Sequence, residues 1–216
     1  MPSEKILGSA PHNERQHLAE QLIVSTSSSI TPTGDAAIVL VPRCDDQTDP
    51  VIAHTAALLV QAGITVVCVD VASQTAVERL IEVIDSMQRS RVILIGLLAG
   101  GSLATSALVA AAQRPGVATT VVYGSDCGRE DEWLPALRSP ALFIVGSRDM
   151  ACRRAYSGVT RRAVAATTVA VVSGTSNSFQ EPGAIDEVAG LATAWFAAHL
   201  PTRSANTLSR PSVSAP

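Results

Sequence analysis

The sequence predicts an α/β fold: a single doubly wound, mostly parallel sheet with helices on both faces. Short runs rich in Val, Ile and Leu alternate with helical patterns along the chain, which is typical of this class. These runs are continuously apolar, as expected for strands buried on both faces. With 216 residues, of which 47% are hydrophobic and 16% charged, the chain can build one domain with its own core.

Six apolar runs predict the strands of this sheet. Each has the length of a strand and is bounded by Gly, Pro, Asp or polar residues. In chain order they are AAIVLV (36–41), ITVVCVD (64–70), VILIGLL (92–98), TTVVY (119–123), ALFIVG (141–146) and TTVAVVSG (167–174). An earlier run, QLIVST (21–26), predicts an antiparallel edge strand.

Helical patterns fill the intervals between these runs. Pro50 opens a helix that Gly63 ends, as expected from the preferences of Pro for the first helical turn and Gly for the C-terminus. The next two are the amphipathic 75–88 and the small-residue stretch 102–113. We expect a helix after Asp149 that is broken near Gly158, and a closing helix from Pro182 to about residue 200.

The ends of the chain differ in composition from the segment between them. We expect residues 1–20 to be flexible, residues 21–200 to form the domain, and the Ser- and Pro-rich residues 201–216 to be disordered. The polar start has no apolar signal-peptide core, and no apolar run is long enough to span a membrane. These features predict a cytoplasmic protein.

Charge and cysteine spacing exclude several classes of function. The net charge is −3 and aromatic residues make up 3% of the chain, which argues against nucleic-acid or membrane-surface binding. The four cysteines are far apart and have no histidine at ligand spacing. We therefore expect no metal and no cofactor. Asp45, Asp46 and Asp49 could hold a cation, but we favour a solvated loop in which Asp49 caps the helix at Pro50.

A ligand crevice is expected at the carboxyl ends of the strands, as in open parallel sheets generally. Candidate site residues are therefore those that directly follow a strand. They lie in the segments 42–46, 70–73, 99–102, 123–127, 147–149 and 175–179.

Several of these blocks together resemble the α/β-hydrolase superfamily, in its dienelactone-hydrolase-like branch. The blocks are IVLVPRCDDQTDP, LLVQAGITVVCVD, ILIGLLAGGSLATSALVAAAQRPG, ALFIVGSRD and VVSGTSNSFQEPGAIDEVAGLATAWFAAHL. The resemblance spans roughly residues 20–200. It implies a G-x-S-x-G turn that carries the nucleophile, followed along the chain by an acid and then a histidine.

Carried over to this chain, the resemblance places the nucleophile at Gly101, within Ala-Gly-Gly-Ser-Leu (99–103), the acid at Asp149 and the base at Asn177. Glycine has no side chain, and asparagine cannot act as a general base. The oxyanion segment contains Pro42 and Arg43, and Pro42 has no N–H to donate. The resemblance therefore implies the fold of a hydrolase without its reaction, which predicts a pseudoenzyme.

An active ester or lactone hydrolase with a displaced nucleophile is the main competing hypothesis. Ser102 lies one place past the turn, but a helix-capping serine is the simpler interpretation. Cys44 and Cys127 also lie near the crevice. None of the four histidines (His12, His17, His54 and His199) is placed on a loop at the carboxyl edge. Asp149, likewise, has a possible structural role as an N-cap.

Two kinds of binding function are also compatible with the sequence. Gly100, Gly101 and Asp70 weakly resemble a nucleotide-binding pattern, although the glycine spacing does not match. The crevice could instead hold a small ester or acid, with Arg43, Arg129 and Arg148 available to an anionic group. Trp133 lies among charged residues. It is either an anchor for a protein partner or the centre of a small core beneath its loop.

Overall fold

The computed structural model describes residues 36–42, 49–128 and 133–200, apart from the side chains of Ser73 and Thr160. Within these ranges, six strands form one sheet in the order β2-β1-β3-β4-β5-β6, and every neighbouring pair is parallel. The predicted doubly wound α/β class is confirmed. The strands are β1 (Ala36–Val41), β2 (Thr65–Cys68), β3 (Leu94–Gly100), β4 (Val117–Tyr123), β5 (Ala141–Gly146) and β6 (Thr167–Val172).

Within the described residues, four helices connect these strands and a fifth follows β6, with a short 3₁₀ turn at Ser73–Thr75 before the second. They are α1 (Pro50–Gln61), α2 (Ala76–Arg89), α3 (Leu103–Gln113), α4 (Met150–Arg162) and α5 (Ala184–His199). Among the described residues, no helix has the length and apolarity needed to cross a membrane.

The core lies on both faces of the sheet, because successive residues of each buried strand point to opposite sides. On one face, Val39 and Val41 pack with residues of α2, α3 and α4. On the other face, Ile38 and Leu40 pack with residues of α1 and α5. All six residues of β1 are buried, which explains its uninterrupted apolar sequence.

Two predicted helix features are wrong. Helix α4 runs unbroken through Gly158, since a single glycine costs a helix only about 1 kcal/mol and Cys152, Tyr156 and Val159 of this helix are buried in the core. Helix α5 begins at Ala184 rather than Pro182, because Gly183 takes a left-handed conformation at its N-cap. The run 21–26 and both chain ends lie outside the described residues.

Trp133 belongs to the core. It is 2% exposed and its ring stacks on Phe143 with the centroids 5.8 Å apart. Of the two interpretations of this residue, the structure supports a core position, within the large cluster on one face of the sheet. The indole is therefore not exposed, and a protein partner at this loop stays a prediction.

Candidate active site

The turn after β3 has the geometry of a nucleophile elbow. Strand β3 ends at Gly100 and helix α3 begins at Leu103, so only two residues reverse the chain direction. Gly101 has φ +57°, and its N–H donates to the Tyr123 carbonyl at 3.1 Å. A left-handed φ is strained for any residue with a Cβ. Gly101 therefore adopts without strain the conformation in which hydrolases hold their nucleophile.

Ser102 lies on this elbow and is exposed. It occupies the N-cap position of α3, but its side chain makes no capping hydrogen bond because its backbone is already helical, with φ −63° and ψ −19°. The expected capping interaction is therefore not formed. Leu103, which stands where the family has its last glycine, is fully buried in the core.

The two residues that the resemblance places at the acid and base positions are in contact. Asn177 Nδ2 donates to Asp149 Oδ2 at 2.5 Å, and Asn177 Oδ1 accepts from the Gly146 N–H at 3.0 Å. The amide nitrogen thus occupies the role that a histidine Nδ1–H has toward the acid of a triad. Asp149 also caps α4, because its Oδ1 accepts from the Cys152 N–H at 3.0 Å.

Backbone hydrogen bonds join the loop after β5 to the loop after β6. The Ser147 N–H donates to the Val172 carbonyl and the Arg148 N–H donates to the Thr175 carbonyl, each at 2.9 Å. Glu181 Oε1 accepts from the Ser176 N–H at 2.8 Å, and this bond lowers the pKa of Glu181 below its ordinary value. These contacts hold Asn177 at the carboxyl edge of the sheet.

We expect Glu181→Gln to lower the melting temperature near pH 7 but not near pH 3. A carboxyl group with a lowered folded-state pKa stabilises the fold above its unfolded-state pKa, and this contribution is lost as the pH falls through the folded-state value. Melting curves of both proteins across this range provide the measurement. A difference that persists unchanged at pH 3 would contradict the role of the charge.

A buried hydrogen bond lies beneath the elbow. The Tyr123 ring is fully buried, and its hydroxyl donates to Asp49 Oδ2 at 2.5 Å. Asp49 Oδ1 meanwhile accepts from the Val51 N–H at 3.0 Å, which confirms the predicted cap of α1. A Cβ on Gly100 would lie 2.4 Å from the Tyr123 ring. The tyrosine therefore requires glycine at position 100, directly before Gly101 in the elbow.

We expect Tyr123→Phe to lower the free energy of unfolding by about 1.5–3 kcal/mol, the usual value of a hydrogen bond to a charged group. The substitution leaves Asp49 Oδ2 buried without this donor. Urea denaturation gives the measurement, with Asp49→Ser as the comparison because serine retains the helix cap but cannot reach both partners. A loss below about 0.5 kcal/mol for Tyr123→Phe would contradict the importance of this contact.

The remaining predicted site residues are only partly brought together. Pro42 directly follows β1 and is half-buried. Arg43, Cys44 and Arg129 lie outside the described residues. Arg148 is exposed and pairs with Glu181, with Nη1 3.3 Å from Oε1, so its charge is already partnered.

The described histidines are not at the crevice. His54 lies within α1 and contacts Asp186 at 3.3 Å. His199 is the last residue of α5, where its ring stacks on Trp195 and its Nδ1 contacts the Trp195 carbonyl at 2.9 Å. His12 and His17 precede the described residues.

The described residues lack a metal-binding cluster, and Asp70 is not placed as the acid of a dinucleotide-binding fold. Over 36–42, 49–128 and 133–200, no three His, Cys, Asp or Glu side chains gather in a way that could hold a metal ion. Asp70 follows the edge strand β2, which β1 separates from β3. In a dinucleotide-binding fold, the acidic residue and the glycine-rich turn follow neighbouring strands.

Solved structures share this architecture. The protein has the α/β-hydrolase fold: a dienelactone hydrolase from Anabaena variabilis superposes with a TM-score of 0.67 over 79% of this chain and 89% of its own, at 22% sequence identity. The esterase domain of a Rhodothermus marinus protein superposes with a TM-score of 0.61 over 75% and 85%, at 12% identity. Identities this low establish the fold alone.

The proteins found by sequence comparison are named differently from the structural neighbours. Two Mycobacterium tuberculosis proteins named for phosphoribosyl transferase activity, from strains CDC 1551 and H37Rv, are each 33% identical over 107 residues. The match covers 49% of this chain but only 24% of theirs, so the chain spans about a quarter of the length of these relatives. No family model matches.

Proposed function

We propose that this protein is a pseudo-hydrolase that binds a small ester or carboxylic acid in the crevice without cleaving it. The proposal rests on the residues that occupy the nucleophile and base positions of the triad. The elbow presents no side chain at Gly101. The Asn177 amide uses its oxygen and its nitrogen in hydrogen bonds to Gly146 and Asp149, so it has no basic atom for a nucleophile's proton.

The competing function is an ester or lactone hydrolase that uses Ser102. Its exposed hydroxyl makes no capping bond, which is the observation in favour of this function. A serine nucleophile requires a base within hydrogen-bond reach. The two histidines of the described ranges lie in α1 and at the end of α5, away from the strand ends, so neither supplies that base.

Labelling with a fluorophosphonate probe separates the two functions. We expect no adduct on the intact protein, while a control serine hydrolase is labelled completely. Peptide mapping would assign any adduct, and Ser102→Ala is the matched control variant. Stoichiometric labelling at Ser102 that is lost in Ser102→Ala would overturn the proposal.

Binding is tested by thermal shift with a panel of short-chain esters and carboxylic acids. We expect at least one class to raise the melting temperature and to remain chemically unchanged. Ser102→Trp should abolish the shift, because a bulky indole on the elbow would occupy the space that the ligand needs. Folding should be retained, because Ser102 is exposed and its side chain makes no capping hydrogen bond. No shift from any member of the panel would contradict ligand binding, whatever the labelling result.

A further inference from the structure

Two cysteines lie on segments that follow neighbouring strands of the sheet. Cys127 follows β4 and is half-buried, while Cys152 is in the first turn of α4 after β5 and is 3% exposed. Both pack on the same core cluster. Cys152 Sγ donates to the Ser125 carbonyl at 3.3 Å, only two residues from Cys127. This contact brings α4 against the segment that carries Cys127.

Burial, together with the neighbouring Cys127 side chain, raises the pKa of Cys152 above its ordinary value. Cys152 therefore remains a protonated thiol at neutral pH. Cys68, at the end of β2, is a separate case, because burial alone raises its pKa to about 11.

We infer that Cys127 and Cys152 form a redox-active pair that closes a reversible disulfide on exposure to a hydroperoxide. Cys127 is the accessible sulfur and reacts first, and the buried Cys152 resolves the product. This assignment is independent of the proposed ligand-binding function, because neither sulfur belongs to the triad positions.

The chemistry is balanced with hydrogen peroxide as the oxidant. The Cys127 thiolate attacks a peroxide oxygen, the O–O bond breaks, and hydroxide leaves and becomes water as Cys127 becomes a sulfenic acid. Cys152 sulfur then attacks Cys127 sulfur, and the S–O bond breaks. The hydroxyl group leaves with the Cys152 proton as a second water. Two thiols are oxidised to one disulfide while one peroxide is reduced to two waters.

The disulfide would connect to the crevice through the backbone. The Cys152 N–H is bonded to Asp149 Oδ1, and Asp149 Oδ2 accepts from Asn177. A crosslink at Cys152 therefore restrains the helix turn that positions the Asp149 carboxylate.

Mass spectrometry of the peroxide-treated full chain tests the inference. We expect an intact-mass decrease of about 2 Da for loss of two hydrogens, reversal by a dithiol reductant, and a linked peptide containing Cys127 and Cys152 in a non-reducing digest. Cys127→Ser should lose the crosslink completely. Cys68→Ser is the matched control and should retain it within about twofold.

Three outcomes would overturn the inference. They are a crosslink that joins either cysteine to Cys44, oxygen addition without a crosslink, and a crosslink that persists in Cys127→Ser. Because Cys152 is buried, Cys152→Ser can fail through misfolding. The test therefore relies on Cys127→Ser, at a half-exposed position, and on peptide mapping of the wild-type chain.

Discussion

The double substitution Gly101→Ser with Asn177→His should react with fluorophosphonate and hydrolyse activated esters at least about 100-fold faster than either single variant. General-base catalysis contributes about 10²–10⁴-fold, and a nucleophile without a base gains none of it. The expected effect is non-additive, because the two residues would act as a unit.

The existing geometry supports this expectation at both positions. Gly101 already has the φ of +57° that a strand-to-helix nucleophile turn imposes. A serine there should cost about 1–2 kcal/mol of strain. Asn177 Nδ2 already donates to Asp149 Oδ2, so a histidine Nδ1–H has its acceptor in place and the ring extends further into the crevice.

Rates with a nitrophenyl ester, measured for both single variants and the double variant, provide the test. Adding Asp149→Asn to the double variant is the control and should reduce the rate again, because the imidazole loses its orienting carboxylate. Activity in Gly101→Ser alone would show that Asn177 is not the base position. A folded but unreactive double variant would contradict the placement of both residues in one site.

The strands were predicted well because the local sequence of each strand reflects its burial. The predicted bounds of β1 and β5 match those observed, since a strand covered on both faces is apolar at every position. Helix α4 was predicted poorly at Gly158, because local propensity signals a break while burial of Tyr156 and Val159 maintains the helix.

The site was predictable only where the family pattern supplied positions. That pattern placed Gly101, Asp149 and Asn177 together, and in the structure Asn177 contacts Asp149. It contained no signal for the Tyr123–Asp49 bond, whose partners are 74 residues apart. It also gave no reason to pair Cys127 with Cys152. Contacts of this kind depend on the sheet order, which no local pattern encodes.

Gly146→Ala should destabilise the protein by about 3 kcal/mol, at the upper end of the cost of overpacking a well-packed interior. Its Cβ would lie 2.4 Å from the Ser176 carbonyl oxygen and 2.6 Å from the Thr175 carbonyl oxygen. These are backbone atoms of the loop that carries Asn177. They cannot move aside as the end of a flexible side chain can.

The matched control is Gly190→Ala in α5. This glycine is exposed and a Cβ there would meet nothing within 4 Å. Because alanine is favoured over glycine in helices, the control should stabilise the fold by about 0.5–1 kcal/mol. Urea denaturation of the two variants should therefore shift the midpoint in opposite directions.

Gly146→Ala also links stability to the site. Residue 177 directly follows Ser176, so displacement of the Ser176 carbonyl must change the position of the residue that contacts Asp149. Placed in the double variant, Gly146→Ala should remove the restored esterase activity even at temperatures where the protein remains folded. Retention of full activity there would mean that the loop relaxes without moving residue 177, and the close approach at Gly146 would then serve stability alone.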